Sequence, residues 1–352
     1  MITRVIADTL LPDVSLAARA ATYYRLPLER CDKEALVAEV TSLPIEERFA
    51  AAKQILFFTV RSGPFVSACR CTAGADYRCC GYYTVQSVSG CPFDCSYCVL
   101  QYYLRNNPFI SVFVNRDSIE EETSHLVCSS HRIRIGTGEL ADSLALDDFL
   151  DESGFFAEMI ERNGWQKYVS FEFKTKSAQV RNLISAKERH SSVDLVFGLS
   201  VNIERVVTEE EHGVAPMADR VTAAQRFIEV GGRVAFHFDP IVMREEFLGE
   251  YLSLVTSLCM ALPSKSIAWV SLGALRYPIP MGTILRRRFP ASLVTLCETF
   301  PFVDDHKVRI FAPLRSRFYR SLVQKIRTHL PDTPIYLCME RNFMWERAGL
   351  AT

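Results

Sequence analysis

The chain has 352 residues and a formal net charge of −1; 49% of its residues are hydrophobic and 23% are charged. These values are normal for a folded globular protein, and the near-zero charge gives no overall attraction to nucleic acid. Twelve cysteines, an N-terminus without a signal-peptide pattern and the lack of a membrane-length apolar stretch predict a cytoplasmic protein with no membrane partner.

The first 65 residues are predicted to be mostly helical, because apolar residues recur at helical spacing in Cys31–Leu43 and Pro44–Phe58. A cysteine-rich stretch from Ala68 to Cys80 follows. It leads into a predicted strand over Tyr82–Val88. The chain is therefore expected to start with a helical region before its first barrel strand.

Beyond residue 98, apolar runs typical of strands alternate with helical patterns. The predicted strands are Ile133–Ile135, Tyr168–Phe173, Asp194–Ser200, Arg233–Phe238 and Ala268–Leu272. The predicted helices between them are Phe149–Asn163, Ala178–Glu188, Met217–Val230 and Leu248–Ala261. Such alternation indicates βα units and a parallel sheet. With the strand at Tyr82 there are six strands, so we predict an α/β fold with a partial (β/α)6 barrel.

From about Pro290 the regular alternation of predicted strands and helices ends. This last part of the chain is predicted to hold a strand over Lys307–Phe311, a basic helix over Arg315–Leu330 and a final strand over Pro334–Met339. We divide the chain into an N-terminal helical and cysteine-rich region (1–80), a barrel core (81–285) and a basic α+β extension (286–352). No Pro/Gly/Ser-rich linker marks these boundaries.

The most informative motif is Cys91-Pro-Phe-Asp-Cys95-Ser-Tyr-Cys98. Three thiolates on one loop can hold three irons of a [4Fe–4S] cube and leave the fourth iron open. This arrangement resembles that of radical S-adenosylmethionine (SAM) enzymes, in which the SAM amino and carboxylate groups bind the open iron. One electron then cleaves SAM to a 5′-deoxyadenosyl radical. Tyr97 fits the aromatic position that such enzymes place against the adenine.

Zinc is the less favoured alternative, because zinc sites usually show four ligands in two pairs. A second group, Cys69, Cys71, Cys79 and Cys80, could bind zinc or an auxiliary cluster, or supply a redox or hydrogen-donor role. Its C-x-C and vicinal pairs suit a tetrahedral metal poorly. Ordinary reduced cysteines are therefore the favoured interpretation.

Polar residues follow the predicted strands, at the end where parallel α/β barrels carry their chemistry. Gly136-Thr-Gly-Glu139 follows the second strand, and Glu139 can accept hydrogen bonds from the SAM ammonium. The other strand-end residues are Lys174, Lys176, Ser200, Asn202, His237, Asp239 and Arg276. A lysine at a strand end suits a carboxylate partner. Together these side chains predict a pocket at the barrel mouth.

The chain resembles the spore photoproduct lyase family of radical SAM proteins from about Cys80 to Glu340. The matching segments are Gly90–Tyr102, Pro108–Asn115, Gly136–Asp147, Thr175–Ser177, Leu199–Asn202, Gly213–Arg220, Pro313–Tyr319 and Ile335–Glu340. The resemblance implies that Cys91, Cys95 and Cys98 ligate the cluster. It also implies that Lys176 meets the SAM carboxylate, with Ser200 and Asn202 nearby.

Family lyases split a thymine dimer in DNA, and a cysteine returns a hydrogen through tyrosines. In this chain Glu139 aligns with that cysteine, and Val99 replaces the tyrosine that follows the third cluster cysteine. A carboxylate cannot donate a hydrogen atom to a carbon radical, because its O–H bond is too strong and it is ionised at neutral pH. The SAM-cleaving half of the mechanism is therefore expected without the usual donor, and Cys79 or Cys80 is a candidate replacement.

Between Met281 and Leu330 there are ten Lys or Arg residues and three Asp or Glu residues. This excess predicts either a solvated helix face or a phosphate contact for nucleic acid through residues 286–327. The phosphate candidates are Arg286, Arg287, Arg288, Arg315, Arg317 and Arg320. The leading hypothesis is a lyase-like radical SAM enzyme fed by an electron donor such as a flavodoxin or ferredoxin. The alternatives are an enzyme acting on a small molecule or peptide, and a non-catalytic iron–sulfur redox sensor.

Overall fold

The computed structural model describes residues 2–69, 77–127, 132–302 and 305–350. Its strands are β1 (Arg4–Asp8), β2 (Leu28–Cys31), β3 (Ile55–Thr59), β4 (Val66–Ala68), β5 (Tyr82–Val85), β6 (Val88–Ser89), β7 (Ile110–Phe113), β8 (Ile133–Thr137), β9 (Val169–Thr175), β10 (Asp194–Ser200), β11 (Arg233–Ile241), β12 (Ile267–Ala274), β13 (Arg276–Pro278), β14 (Thr299–Phe302), β15 (Lys307–Ile310) and β16 (Ile335–Leu337).

Its α-helices are α1 (Ser15–Tyr24), α2 (Lys33–Thr41), α3 (Ile45–Ala52), α4 (Leu100–Tyr103), α5 (Asp117–Val127), α6 (Asp147–Leu150), α7 (Glu152–Arg162), α8 (Arg181–Arg189), α9 (Glu204–Glu210), α10 (Met217–Glu229), α11 (Leu248–Ala261), α12 (Met281–Arg288), α13 (Ala312–His329) and α14 (Asn342–Arg347). Within the described ranges, no helix is both long enough and apolar enough to cross a membrane.

The main sheet has the strand order β16-β12-β11-β10-β9-β8-β5-β4. The six strands from β5 to β12 in this order run parallel, and they are the six that the sequence predicts. Arg134 on β8 lies over the ring of Tyr336 on β16, with 4.2 Å between guanidinium and ring centroid. Because these strands are far apart in the sheet order, the sheet must curl. The predicted partial barrel is confirmed.

The barrel is held together by a continuous apolar core. Strand β9 is buried along almost its whole length, as expected for a parallel strand covered on both faces. Phe156 of α7 stacks on Phe171 of β9 with ring centroids 4.3 Å apart, and both side chains are fully buried. Helices α7, α8, α10 and α11 lie close to the predicted bounds and connect the parallel strands.

The N-terminal region differs from the prediction. Residues 2–65 contain three strands, β1–β3, as well as three helices, and these strands belong to a second sheet of order β2-β1-β3-β7-β6. The expected helix over Pro44–Phe58 is wrong after Ala52, because Ile55–Thr59 is a strand buried at every position. A short apolar run that directly follows a helix fits both helical and strand spacing. Strands β6 and β7 join this sheet from beyond residue 80, and the division at residues 80 and 285 stays a prediction.

The C-terminal part forms a three-stranded antiparallel sheet of order β13-β15-β14, followed by α13. The predicted strand at Pro334–Met339 is present as β16 and pairs in parallel with β12. The C-terminal extension thus supplies one edge of the barrel sheet. The backbone N–H of Arg78 donates to the carbonyl of Glu340, which brings the segment before β5 next to the β16 edge of the sheet.

Candidate active site

The three cysteines of the motif lie on the loop between β6 and α4. Gly90 precedes them with φ +103°, and a Cβ at this position would come 2.9 Å from the Cα of Ile110. Only glycine therefore lets the loop start this close to β7. Cys95 is buried, whereas Cys91 and Cys98 are partly buried. Burial raises the pKa of Cys91 to about 12, so without a metal this thiol is protonated at neutral pH.

Burial raises the pKa of Cys95 well above its ordinary value, and the charges of Glu211, Cys98 and Cys91 raise it further, so the three thiols lie near one another. Across the described residues, His, Cys, Asp and Glu side chains do not already stand in a group of three around one metal position. Three thiols on one loop are nevertheless the donor type of a [4Fe–4S] cube with one open iron. The donor set fits that cluster better than it fits a four-ligand zinc site.

The loop is fixed to the barrel by Glu210, which is fully buried. Its carboxylate accepts hydrogen bonds from the hydroxyls of Ser96 and Ser292 and, at 2.6 Å, from the backbone N–H of Leu293. The backbone N–H of Ser96 also donates to the carbonyl of Glu210 at 2.8 Å. Ser96, which directly follows the second cysteine of the loop, is thus tied to the end of α9 by both its backbone and its side chain.

Glu139 lies on the loop after β8 with one carboxylate oxygen unpartnered. Its Oε2 is enclosed and has no hydrogen-bond partner among the described residues. Gly138 before it has φ +98°, and a Cβ there would lie 2.9 Å from Ser143 Oγ. An enclosed carboxylate oxygen that accepts no hydrogen bond lowers the stability of the folded protein. A bound ammonium group would remove that loss, which is what the sequence predicts for the SAM amino group.

Asp142 ties the Glu139 loop to the end of β9. Its carboxylate accepts from Thr175 Oγ1 at 2.6 Å and from the backbone N–H of Lys176 at 2.7 Å. The loop that carries Glu139 and the strand end that carries Lys176 are therefore fixed to each other. Sequence reasoning missed this residue, although its place three residues after Glu139 lies within the segment that carries the family resemblance.

Glu211 forms a buried centre that joins three of the predicted site residues. The Tyr97 hydroxyl donates to its Oε1, Lys176 Nζ lies 3.8 Å from that oxygen, and Asn202 Nδ2 donates to it at 3.5 Å. Arg220 pairs with the other oxygen at 2.7 Å, and both side chains of this pair are 0% exposed. Burial alone would raise the pKa of Glu211, but Lys176 and Arg220 hold it below its ordinary value.

Sequence reasoning missed Glu211 as well. Glu209, Glu210 and Glu211 stand in a row, and only the fold shows that Glu209 is exposed while the other two are buried. Ser200 and Asn202 are buried beside this centre. Both side-chain polar atoms of Asn202 are used within the protein, since its Oδ1 accepts from the Tyr251 hydroxyl at 2.6 Å and its Nδ2 donates to the Pro240 carbonyl at 3.0 Å.

The remaining strand-end residues meet inside the barrel, as the sequence predicts. His237 and Glu172 share a hydrogen bond of 2.5 Å, and Arg276 pairs with Asp239 at 3.0 Å. Lys174 lies close enough to Asp239 and Glu172 that their charges raise its pKa above the ordinary value, although burial opposes this. The barrel interior is therefore charged rather than apolar.

The second cysteine group lies apart from the loop. Cys79 and Cys80 come before the start of β5, whereas Cys91 follows its end. Burial raises the pKa of Cys80, with smaller contributions from Cys69 and Cys79, so these three lie near one another. Cys71 and Cys128 fall outside the described residues.

Two of the predicted phosphate contacts are wrong. Arg288 is only 3% exposed and binds the carboxylate of Asp94, and Arg315 is 3% exposed and pairs with Glu340. Arginines that are buried against carboxylates cannot also reach a phosphate. Of the six predicted contacts, those that remain exposed are Arg286, Arg287, Arg317 and Arg320.

The model of the spore photoproduct lyase family matches residues 38–301, which is three quarters of the chain. The chain belongs to the spore photoproduct lyase family. It is 25% identical to the spore photoproduct lyase of Clostridium acetobutylicum over 187 residues, and 24% identical to that of Bacillus subtilis over 220 residues. These alignments cover 53% and 61% of the chain but only 54% and 63% of the two relatives.

Solved structures of spore photoproduct lyase share the fold. One, complexed with dinucleoside spore photoproduct, matches with a TM-score of 0.81 at 19% identity and covers 96% of this chain and 99% of its own. Another, a mutant with bound AdoMet and dinucleoside spore photoproduct, gives a TM-score of 0.79 at 19% identity over 97% and 99% of the two chains. The family match confirms the predicted spore photoproduct lyase family of radical SAM proteins, and the solved structures confirm the partial barrel.

Proposed function

We propose that this chain is a radical SAM enzyme that holds a [4Fe–4S] cluster at Cys91, Cys95 and Cys98 and binds SAM beside it. When bound, the cluster and SAM supply a 5′-deoxyadenosyl radical by one-electron cleavage of SAM. The observation that carries the proposal is the enclosed, unpartnered Oε2 of Glu139 on the loop after β8. A redox sensor would need no such acceptor, so this oxygen favours the enzyme over the sensor.

The chain's own residues would bind and orient SAM. Glu139 Oε2 would accept hydrogen bonds from the amino group, and Lys176 would pair with the carboxylate. The ring of Tyr97 lies 5.9 Å from Lys176 Nζ and would lie against the adenine. Glu211 would keep Tyr97 and Lys176 in place through the contacts described above. Asn202, whose amide is already used within the protein, would orient this set instead of holding SAM directly.

For the substrate we propose a nucleic-acid lesion of the kind bound in the family's solved structures, which contain dinucleoside spore photoproduct. The charged barrel interior, with Lys174, Asp239 and Arg276, suits a polar substrate better than an apolar one. The hydrogen-return step would use a donor other than residue 139. The sequence offers Cys79 and Cys80 for this step, although they lie before the start of β5 and apart from the cluster loop. A flavodoxin or ferredoxin would supply the electron.

The test is anaerobic reconstitution with iron and sulfide, followed by reduction with dithionite in the presence of SAM. The native protein should form 5′-deoxyadenosine, and the Cys98→Ala variant should form none. Addition of dinucleoside spore photoproduct should yield two thymidines, because the two nucleosides separate when the bond between their bases is broken. No 5′-deoxyadenosine from a fully reconstituted native protein would refute the enzyme. Formation of 5′-deoxyadenosine without any change in the dinucleoside would refute this substrate and favour a small molecule or peptide.

A further inference from the structure

Lys53 lies at the end of α3 and points into the cysteine loop. Its side chain is only 9% exposed. The ammonium group donates to the carbonyl of Phe93 and lies 3.2 Å from Asp94 Oδ1. Phe93 and Asp94 stand between the first two cysteines of the motif. A cation from the N-terminal region is thus buried directly against the loop proposed to hold the cluster.

The charges around Lys53 show which groups it faces. Burial alone would lower its pKa, yet the pKa lies above the ordinary value because of the charges of Cys98, Cys91 and Asp94. Two of the three proposed iron ligands therefore lie within electrostatic reach of the ammonium group. Such a lysine costs free energy to bury, and the Phe93 carbonyl and the negative charge on the loop offset that cost.

Arg288 provides a second cation on the other side of Asp94. Its guanidinium donates to both carboxylate oxygens of Asp94, at 3.0 and 2.9 Å, and to Gln101 Oε1 at 3.0 Å. The Arg288 side chain is 3% exposed. The loop thus carries two buried cations against one carboxylate. The carboxylates of Asp142 and Glu211 and the ammonium group of Lys176 also lie within electrostatic reach of the thiols of Cys91 and Cys95.

We propose that Lys53 is a positioning residue that makes the cluster at Cys91, Cys95 and Cys98 easier to reduce. This inference rests on the proposed function, because it concerns the cluster named there. Reduction adds one electron, taken from an external one-electron donor, and so adds one negative charge to the cluster. A buried positive charge nearby stabilises the reduced form more than the oxidised form and raises the reduction potential.

The test is a redox titration of the reconstituted holoenzyme, followed by electron paramagnetic resonance (EPR) of the reduced cluster. Lys53→Met should shift the one-electron equilibrium at least tenfold toward the oxidised form, which is about 59 mV more negative. Lys53→Arg keeps the charge and should restore most of the native potential. Asp94→Asn removes the anion and should shift the potential in the opposite direction.

The matched control is Lys187→Met. Lys187 of α8 is also a buried lysine, 8% exposed, but its ammonium donates to the carbonyls of Ser191 and Val193, at 2.7 and 2.8 Å, in the turn after that helix. Its removal should leave the potential at the native value even where it lowers stability. This control separates loss of a buried cation in general from loss of the cation at the loop.

The outcomes distinguish the inference from the proposed function. A native protein that takes up no [4Fe–4S] cluster overturns both. Clusters of equal potential in native protein and Lys53→Met overturn the inference alone. Shifts of Lys53→Met and Asp94→Asn in the same direction also overturn it. A loop that is merely loosened would shift the potential in the same way whichever charge is removed. Opposite shifts, with Lys187→Met unchanged, support it. If Lys53→Met takes up no cluster, the other two variants decide. A more positive potential in Asp94→Asn with a near-native potential in Lys53→Arg supports the inference, and any other result overturns it.

Discussion

Replacing Glu139 by glutamine should weaken SAM binding without lowering the stability of the protein. Oε2 of Glu139 has no partner among the described residues, so the folded protein loses no hydrogen bond there. A hydrogen bond between an ammonium group and a carboxylate contributes about 1.5–3 kcal/mol. The dissociation constant of SAM should therefore rise about 10- to 100-fold.

The assay is anaerobic isothermal titration calorimetry of the reconstituted protein with SAM, combined with urea unfolding of both proteins. Glu158→Gln is the control, because Glu158 is an exposed residue of α7 with 66% side-chain exposure. It should change neither quantity. A dissociation constant of Glu139→Gln within twofold of the native value would refute the role of Glu139. A loss of both stability and affinity would instead show a structural role.

Three further predictions concern the buried charges and the surface. Glu211→Gln leaves Arg220 buried without its counter-charge and should cost about 3–5 kcal/mol in urea unfolding; a cost below about 1 kcal/mol would contradict the buried pair. Burial raises the pKa of Asp147 to about 7, so its carboxyl is protonated in the folded protein at pH 5 but already mostly ionised in the unfolded chain. The free energy of unfolding therefore falls as the pH rises through 7 to pH 8. The stability of Asp147→Asn minus that of the native protein, measured by urea unfolding, should therefore be about 3 kcal/mol larger at pH 8 than at pH 5. The same difference at both pH values would argue against the raised pKa. The double variant Arg317→Ala/Arg320→Ala should weaken DNA binding and flatten its dependence on log salt by about 1–2 in filter binding, and an unchanged slope would remove these two exposed arginines from the interface.

The barrel could be predicted because the local residue pattern of each of its strands is enough to indicate a strand. Val169–Thr175 alternates apolar with polar residues, Asp194–Ser200 is mostly apolar, and helices with clear spacing separate such strands. The N-terminal sheet could not be predicted in the same way. Ile55–Thr59 follows α3 almost directly, and what makes it a strand is pairing with Arg4–Asp8 and Ile110–Phe113, which lie far away in sequence. Local spacing contains no information about such partners.

The candidate site was predictable where a residue type and its position were enough. The cysteine spacing and the placement of Glu139 and Lys176 after strands indicated the site directly. The direction of a charged side chain was not predictable. The neighbouring arginines in the sequence suggest that Arg288 belongs to a basic surface. In the structure it pairs with Asp94, which lies 194 residues earlier in the chain. Likewise, the buried role of Glu211 depends on contacts with Tyr97 and Lys176 that only the folded barrel creates.

The proposed function depends on three cysteines that hold a cluster whose open iron binds SAM next to Glu139. EPR of the anaerobically reconstituted, dithionite-reduced protein with and without SAM is the decisive measurement. We expect a [4Fe–4S] signal that changes when SAM is added, and loss of that cluster in the Cys91→Ala/Cys95→Ala/Cys98→Ala variant. A native [4Fe–4S] signal that SAM leaves unchanged, or one that persists in the triple variant, would contradict it.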